Sequence, residues 1–324
     1  MKWKAIFGMI AVIGCGASGL WGWEKWTLWH APVGPDDTWC IHIGPDELDP
    51  DSEAYWGTQL PEAADIIAWR GWSVRAGRYC ESGPVAAHVI ARRIATGERD
   101  EMPVIVPAKR HIEEIAGAIS KRVWADSAAL VHALDVDSLL WRIVPNTYRM
   151  YWESDADDVA ARLIRESEKW WNRDRLTTAW DMNLTAREVV TLASIVQEET
   201  ARLDEAPRVA GLYLNRLKKG MLLQADPTLK FALGDWGIQR LLDKDKRVNS
   251  PYNTYLNPGL PPGPIRIPEP SYIDAVLNAE KHSYLYMCAK PDGSGKHAFA
   301  VRYADHLRNA RAWQNMLNRE QIYR

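Results

Sequence analysis

Two adjacent carboxylates, Glu198 and Glu199, close the run TAREVVTLASIVQEET from Thr185 to Thr200. Their chemistry depends on the helix that carries them. Thr185 followed by Glu188 is a capping box, in which hydroxyl and carboxylate each satisfy an orphan backbone N–H at a helix start. Val189, Leu192, Ala193 and Val196 then recur at i, i+3, i+4 and i+7, one face of a helix. Thr200 falls at the centre of that face and Glu199 on its shoulder, roughly 70° away, while Glu198 points to the opposite side. The pattern predicts a solvated Glu198 and a half-buried Glu199. Burial raises a carboxyl pKa, and so does the negative end of a helix dipole. A Glu held in this way keeps a proton near neutral pH and can act as a general acid. Taken alone, the stretch reads equally as a helix end with two solvated carboxylates.

Further polar groups lie downstream on loops. In Gln224-Ala225-Asp226-Pro227-Thr228, Asp then Pro before an apolar run predicts a helix N-cap at Asp226 with Pro at the next position. SPYNTY (250–255) and GLPPGPI (259–265) are rigid loops, too long and too aromatic for linkers. Loops carrying Tyr252, Asn253, Thr254 and Tyr255 are of the kind that lines a sugar-binding groove. His297 and His306 have no partner at metal-ligand spacing and read as structural hydrogen bonders. No metal or cofactor is expected.

The elements that must position these groups are short. Strands are predicted over 38–43, 73–80 and 102–106, and helices over 62–69, 84–95, 111–123 and 127–134. This is a small α+β module with no nucleotide fingerprint and no catalytic cluster. Beyond Trp141 the texture changes. A loop is predicted at 143–148, helices over 157–172, 185–202 and 207–217, strands at 284–288 and around 297–301, and a last helix over 305–319.

Composition bounds the surroundings. The 324 residues are 47% hydrophobic and 25% charged, enough core for about two domains, and the net charge of −2 with no basic run argues against nucleic acid. Lys2 and Lys4 precede Ala5 to Trp23, an uncharged run long enough to cross a bilayer, with the N-terminus cytoplasmic and the bulk exported. Two rival readings are a cleaved signal peptide, for which no cleavage site is evident, and a lipoprotein with lipid on Cys15. Trp21, Trp23, Trp26 and Trp29 suit a membrane interface. Cys40 and Cys80 would bond if exported; the spacing does not decide it.

With these features in hand, the chain resembles the MltG (YceG-like) family of endolytic murein transglycosylases, from about Gly77 to Arg308. The motifs are LASIVQEET, PRVAGLYLNRLKKGMLLQADPT, SPYNTYLNPGLPPGPI and KHAFAVRY, in order and at the family's spacing. The resemblance implies an α+β chain divided as 1–23 cytoplasmic N-terminus and transmembrane helix, 24–37 linker, 38–140 LysM-like α+β module, and 141–324 catalytic domain. It implies a single-pass inner-membrane protein whose catalytic domain is periplasmic. The implied activity is cleavage of the MurNAc-GlcNAc bond within nascent glycan strands of peptidoglycan, leaving 1,6-anhydro ends, with peptidoglycan synthases as candidate partners. Glu199, directly before Thr, is the implied catalytic residue. Gln224, Asp226, Tyr252, Asn253, Tyr255 and His297 are the implied substrate-binding set. There are departures: Gln197 stands where the family has Glu, Pro107-Ala108-Lys109 replaces Pro-Glu-Gly, and Lys296 replaces Gly. Two alternatives remain, a non-catalytic membrane-anchored glycan-binding scaffold and a muramidase with Asp226 as second acid.

Overall fold

The computed structural model describes residues 21–50, 55–135, 140–238 and 241–319. The apolar run expected to span a membrane lies almost wholly outside them, and among the described residues no helix is long and apolar enough to cross one. The chain divides into two compact units. One holds residues up to Val104 with Arg122–Asp126 and Tyr148–Asp155; the other holds Ile105–Lys121, Ser127–Thr147 and Ala156 onward.

The first unit opens with a helix over residues 21–30 (α1) and the short strand β1 (Pro32–Val33). Strand β2 (Thr38–Ile43) pairs antiparallel with β3 (Gly77–Ser82), with Cys40 opposite Cys80, and these two form a disulfide. Between the strands runs α2 (Pro61–Arg70), and after them come β4 (Val85–Ala86), which pairs with β1, and α3 (Ala87–Thr96). Pro61 opens α2 where a missing N–H costs nothing, and Gly71, at φ 64°, closes it in a left-handed conformation that a Cβ would strain. Ile41, Ile43, Trp56, Ile66, Ile67, Tyr79, Ile90 and Ile94 meet in one core, each aliphatic side chain contributing about 1.5–3 kcal/mol. Trp29, expected at a membrane interface, packs partly on this core and stacks on His88.

Strand β5 (Glu101–Val106) pairs with β6 (Asn146–Tyr151). A loop was expected at 143–148. The alternation of buried Tyr148 and Met150 with exposed neighbours makes its second half a strand instead.

The second unit is mainly helical: α4 (Ile112–Ile119), α5 (Ser127–Leu134), α6 (Ala156–Trp170), α7 (Arg173–Asp181), α8 (Ala186–Glu199), α9 (Ala206–Lys218), α10 (Asp226–Leu233), α11 (Pro270–Leu277) and α12 (Tyr303–Arg319), with the hairpin β7 (Tyr286–Ala289) and β8 (His297–Ala300). Helix α8 is its axis. Thr185 and Glu188 form the expected capping box, each bonding the other's backbone N–H. The expected single apolar face proves too narrow. Every residue from Val189 to Val196 is buried, because α7, α9, α10 and α11 surround the helix. Its polar residues are satisfied internally: Thr191 donates to the Arg187 carbonyl, and Ser194 donates to the Thr191 carbonyl while accepting from the Ile265 N–H. In α9, a Cβ at Gly211 would collide with the Glu280 carbonyl, so glycine lets the helix touch the backbone that leads into β7.

Candidate active site

Helix α8 ends at the edge of a cavity of about 400 Å³ in the second unit. Glu199 reaches it from the last turn of α8, and Leu212, Tyr213 and Arg216 from α9. Gln224 and Asp226 come from the segment opening α10, and Tyr255 from the SPYNTY loop. The hairpin contributes Met287, Cys288, Ala289 and His297, and α12 contributes His306 and Trp313.

The Glu199 carboxyl accepts a hydrogen bond on Oε1 from the Tyr213 hydroxyl at 2.6 Å. No other side chain or backbone N–H of the described residues bonds it, so Oε2 remains for a ligand. Desolvation is the main influence on its proton. It outweighs the Tyr213 bond and, with help from the Asp226 charge and against Arg216 and Lys230, lifts the pKa from 4.5 to about 7. Near neutral pH the group is therefore divided between acid and carboxylate. The Tyr213 phenol is held well above its usual pKa, first by burial and then by Glu199, so it stays a donor.

Asp226 faces the same cavity and accepts the Tyr255 hydroxyl at 2.5 Å. It is the first residue of α10 rather than its cap. Ala225 occupies the cap position without a side-chain bond, and the Asp226 carboxylate is taken by Tyr255. Burial, then Asp226, pushes the Tyr255 phenol far above its usual range. Gln224 has φ 50°, a left-handed conformation unusual for a residue with a Cβ. It is held there by its N–H bonding the Thr254 carbonyl, while Ala225 bonds the Thr254 hydroxyl.

Asn253 does not reach the cavity lining. Its side chain is 0% exposed, with Nδ2 donating to the Lys246 and Val248 carbonyls and Oδ1 accepting the Tyr255 N–H. It shapes the loop from beneath. Tyr252 also stays off the cavity wall and packs on Phe231 at 4.6 Å between ring centres. His297 does line the cavity, and both its N–H and its Nδ1 bond the buried Glu205 carboxylate.

Glu198 overturns its expectation most clearly. Its side chain is only 7% exposed, with Arg266 at 2.7 Å on Oε1 and Arg110 on both oxygens, at 2.9 Å and 2.7 Å. Arg110 also lies over the Trp236 ring, and Arg266 donates to the Ala108 carbonyl. The helix periodicity placed Glu198 away from the apolar face correctly, but what meets it there is a pair of guanidiniums, not water. No local pattern announces partners 88 and 68 residues away.

Arg216 was also missed as a site residue. It is buried with no carboxylate partner among the described residues, donating to the carbonyls of Leu285 and Leu223, and so ties the start of the hairpin to the loop before α10. His306 and Trp313 were missed because α12 reads as an ordinary polar helix; Nδ1 of His306 is buried with no partner among the described residues.

A helical unit with a half-buried Glu at the end of its central helix, as the apolar stripe predicts, opening on a cavity beside a two-stranded hairpin, is the class of α+β protein seen here. The YceG-like family model matches residues 55–312. The chain belongs to that family. The endolytic murein transglycosylase of Bacillus subtilis is 42% identical over 154 residues, 47% of this chain and 42% of its own length. The protein of the same name from Streptococcus pneumoniae D39 is 33% identical over 161 residues, 48% of this chain and 28% of its own. The matched chain thus spans less than half the length of these curated relatives. A crystal structure of a yceG-like protein from Listeria monocytogenes has the same fold, with a TM-score of 0.54 at 22% identity, covering 84% of this chain and 99% of that one.

Proposed function

We propose that this chain is a peptidoglycan lytic transglycosylase and that Glu199 performs both proton transfers. The observation that carries the reading is the Glu199 carboxyl. It is half-buried, bonded by one phenol, unpaired with any cation among the described residues, and open on one oxygen to the cavity. Protonated Glu199 donates to the glycosidic oxygen as the bond to C1 of the muramic acid breaks. The resulting carboxylate, steadied by Tyr213, takes the proton from the 6-hydroxyl of the same sugar as O6 closes on C1. The products are a 1,6-anhydro end and a free hydroxyl, Glu199 recovers its proton, and no water enters. A residue that must be acid and then base within one turnover works best with a pKa near the operating pH, which the burial supplies.

Gln224, Asp226, Tyr255 and His297 are the groups we assign to holding the sugars. Asn253 and Tyr252 we assign to supporting the loop. The relatives' name supports the substrate class. The muramidase reading also has an observation in its favour, since Asp226 shares the cavity. Its carboxylate, however, is already engaged by Tyr255. Within the same proposal, residues 38–140 form a LysM-like glycan-binding module and 141–324 the catalytic domain, held by Ala5–Trp23 in the inner membrane and exported to the periplasm. The Cys40–Cys80 disulfide supports an oxidising compartment.

Digestion of purified glycan strands tests the role of Glu199. Wild type should release fragments, and Glu199→Gln, which keeps the shape without the proton, should lose about 10²–10⁴ in rate or more. Unchanged release by the variant would remove Glu199 from the chemistry and leave a scaffold or a different acid.

A further inference from the structure

The first unit carries a second cavity, of about 440 Å³, lined by Gly71, Trp72, Ser73, Arg75, Arg92 and Thr96 among others. None of these residues has a part in the chemistry above. Arg75 and Arg92 are exposed, and among the described residues neither guanidinium meets a carboxylate or donates a hydrogen bond. Two unpaired guanidiniums beside the Ser73 hydroxyl form a donor set with no protein acceptor among the described residues, fitted to a phosphate, while the Thr96 hydroxyl is already used on the Arg92 carbonyl and Glu98.

Next to it, Trp72 leads into an aromatic and cationic corner. Trp69 is 39% exposed, and Trp21, Trp23 and Trp26 on α1 are 57%, 65% and 55% exposed. Trp21 and Trp29 both pack edge-on against Trp69, so α1 and the end of α2 present one continuous surface. Lys25 lies 5.0 Å from the Trp69 ring centre, and Arg70 lies 5.3 Å from that of Trp72. Large indoles left in water beside cations are unfavourable for a free surface but are what a bilayer interface selects, with indoles at the headgroup level and cations on phosphates.

We propose that this corner of the first unit lies on the membrane, and that the Arg75–Arg92 cavity binds the phosphate of an anionic lipid headgroup. The inference rests on the membrane-anchored reading above and extends it, since the anchor alone would leave the folded unit free to tumble. The unit is instead held flat at the headgroup layer by the end of α2 at Trp69 and Arg70 and by the Arg75–Arg92 cavity, which lie well along the chain from the apolar run.

The test incorporates the full chain into phosphatidylglycerol or phosphatidylcholine vesicles and modifies arginines with phenylglyoxal, read by mass spectrometry. Flotation reports incorporation, and exposed Arg165 serves as the internal standard. Arg75 and Arg92 should react about fivefold more slowly in phosphatidylglycerol than in phosphatidylcholine, given the attraction of one basic residue to an anionic surface, while Arg165 is unchanged. Adding inorganic phosphate to phosphatidylcholine vesicles should protect them far less. A chain that floats but shows equal rates in both lipids overturns the headgroup site while sparing the anchor. Protection by glycan fragments in phosphatidylcholine also overturns it, and moves the cavity to the glycan. A chain that floats with neither lipid overturns both readings.

Discussion

The raised pKa of Glu199 makes a prediction about stability that is independent of any substrate. The folded chain holds this proton up to about pH 7, whereas an ordinary Glu releases it near 4.5. Between those values the folded state binds more protons than the unfolded one, so stability falls as pH rises through the window. A rise from 4.5 to about 7, at about 1.36 kcal/mol per pKa unit, leaves the ionised carboxyl destabilising the fold by about 3 kcal/mol above the window. Near the bottom of the window, at about pH 5, most of that penalty is absent and about 1 kcal/mol remains. Glu199→Gln retains an acceptor for Tyr213 and cannot ionise. It should therefore be more stable than wild type at pH 8, and the gain should shrink by about 2 kcal/mol on going to about pH 5. Denaturant unfolding of both proteins at the two pH values measures this directly, and the comparison cancels any constant effect of the amide. A stability difference that does not change with pH would refute the half-buried, proton-holding Glu199.

Three further substitutions probe the surroundings. Glu198→Gln should lower stability by roughly 2–3 kcal/mol, because it turns charge-assisted hydrogen bonds to the half-buried Arg266 into neutral ones; chemical unfolding should register this while the pH profile of activity keeps its midpoint. Tyr213→Phe removes the one bond that favours the Glu199 carboxylate, so the falling alkaline limb of the pH–rate profile should move to higher pH, with a lower maximum rate. Replacing Cys40 and Cys80 by Ser opens a loop of 40 residues, and loop-closure entropy puts the loss at about 4 kcal/mol for the first unit, read as a lowered melting temperature.

Much of the fold was legible because it is local. A short run bounded by turn residues gave Thr38–Ile43, and the capping box gave the start of α8. Elements defined by distant partners were not legible. Helices α7 and α11 lie in stretches the sequence reading left unassigned; Asn172 caps α7, Pro270 opens α11, and both pack on α8. At the site, helix geometry singled out Glu199 before any fold was known, because one carboxylate on the shoulder of an apolar stripe is a local statement. The environment of Glu198 is not local. Asn253 misled for a related reason: an amide in an aromatic loop looks available until three backbone groups are found to use it.

The most direct measurement of the central claim is the origin of the oxygen at the new strand end. Glycan strands cleaved in heavy-oxygen water should yield muramic acid ends with no heavy oxygen and a mass one water below that of a reducing end, because O6 of the same sugar closes the bond. Reducing ends that carry the heavy label would contradict the account, because water would then be the nucleophile and Asp226 the residue to examine as its base.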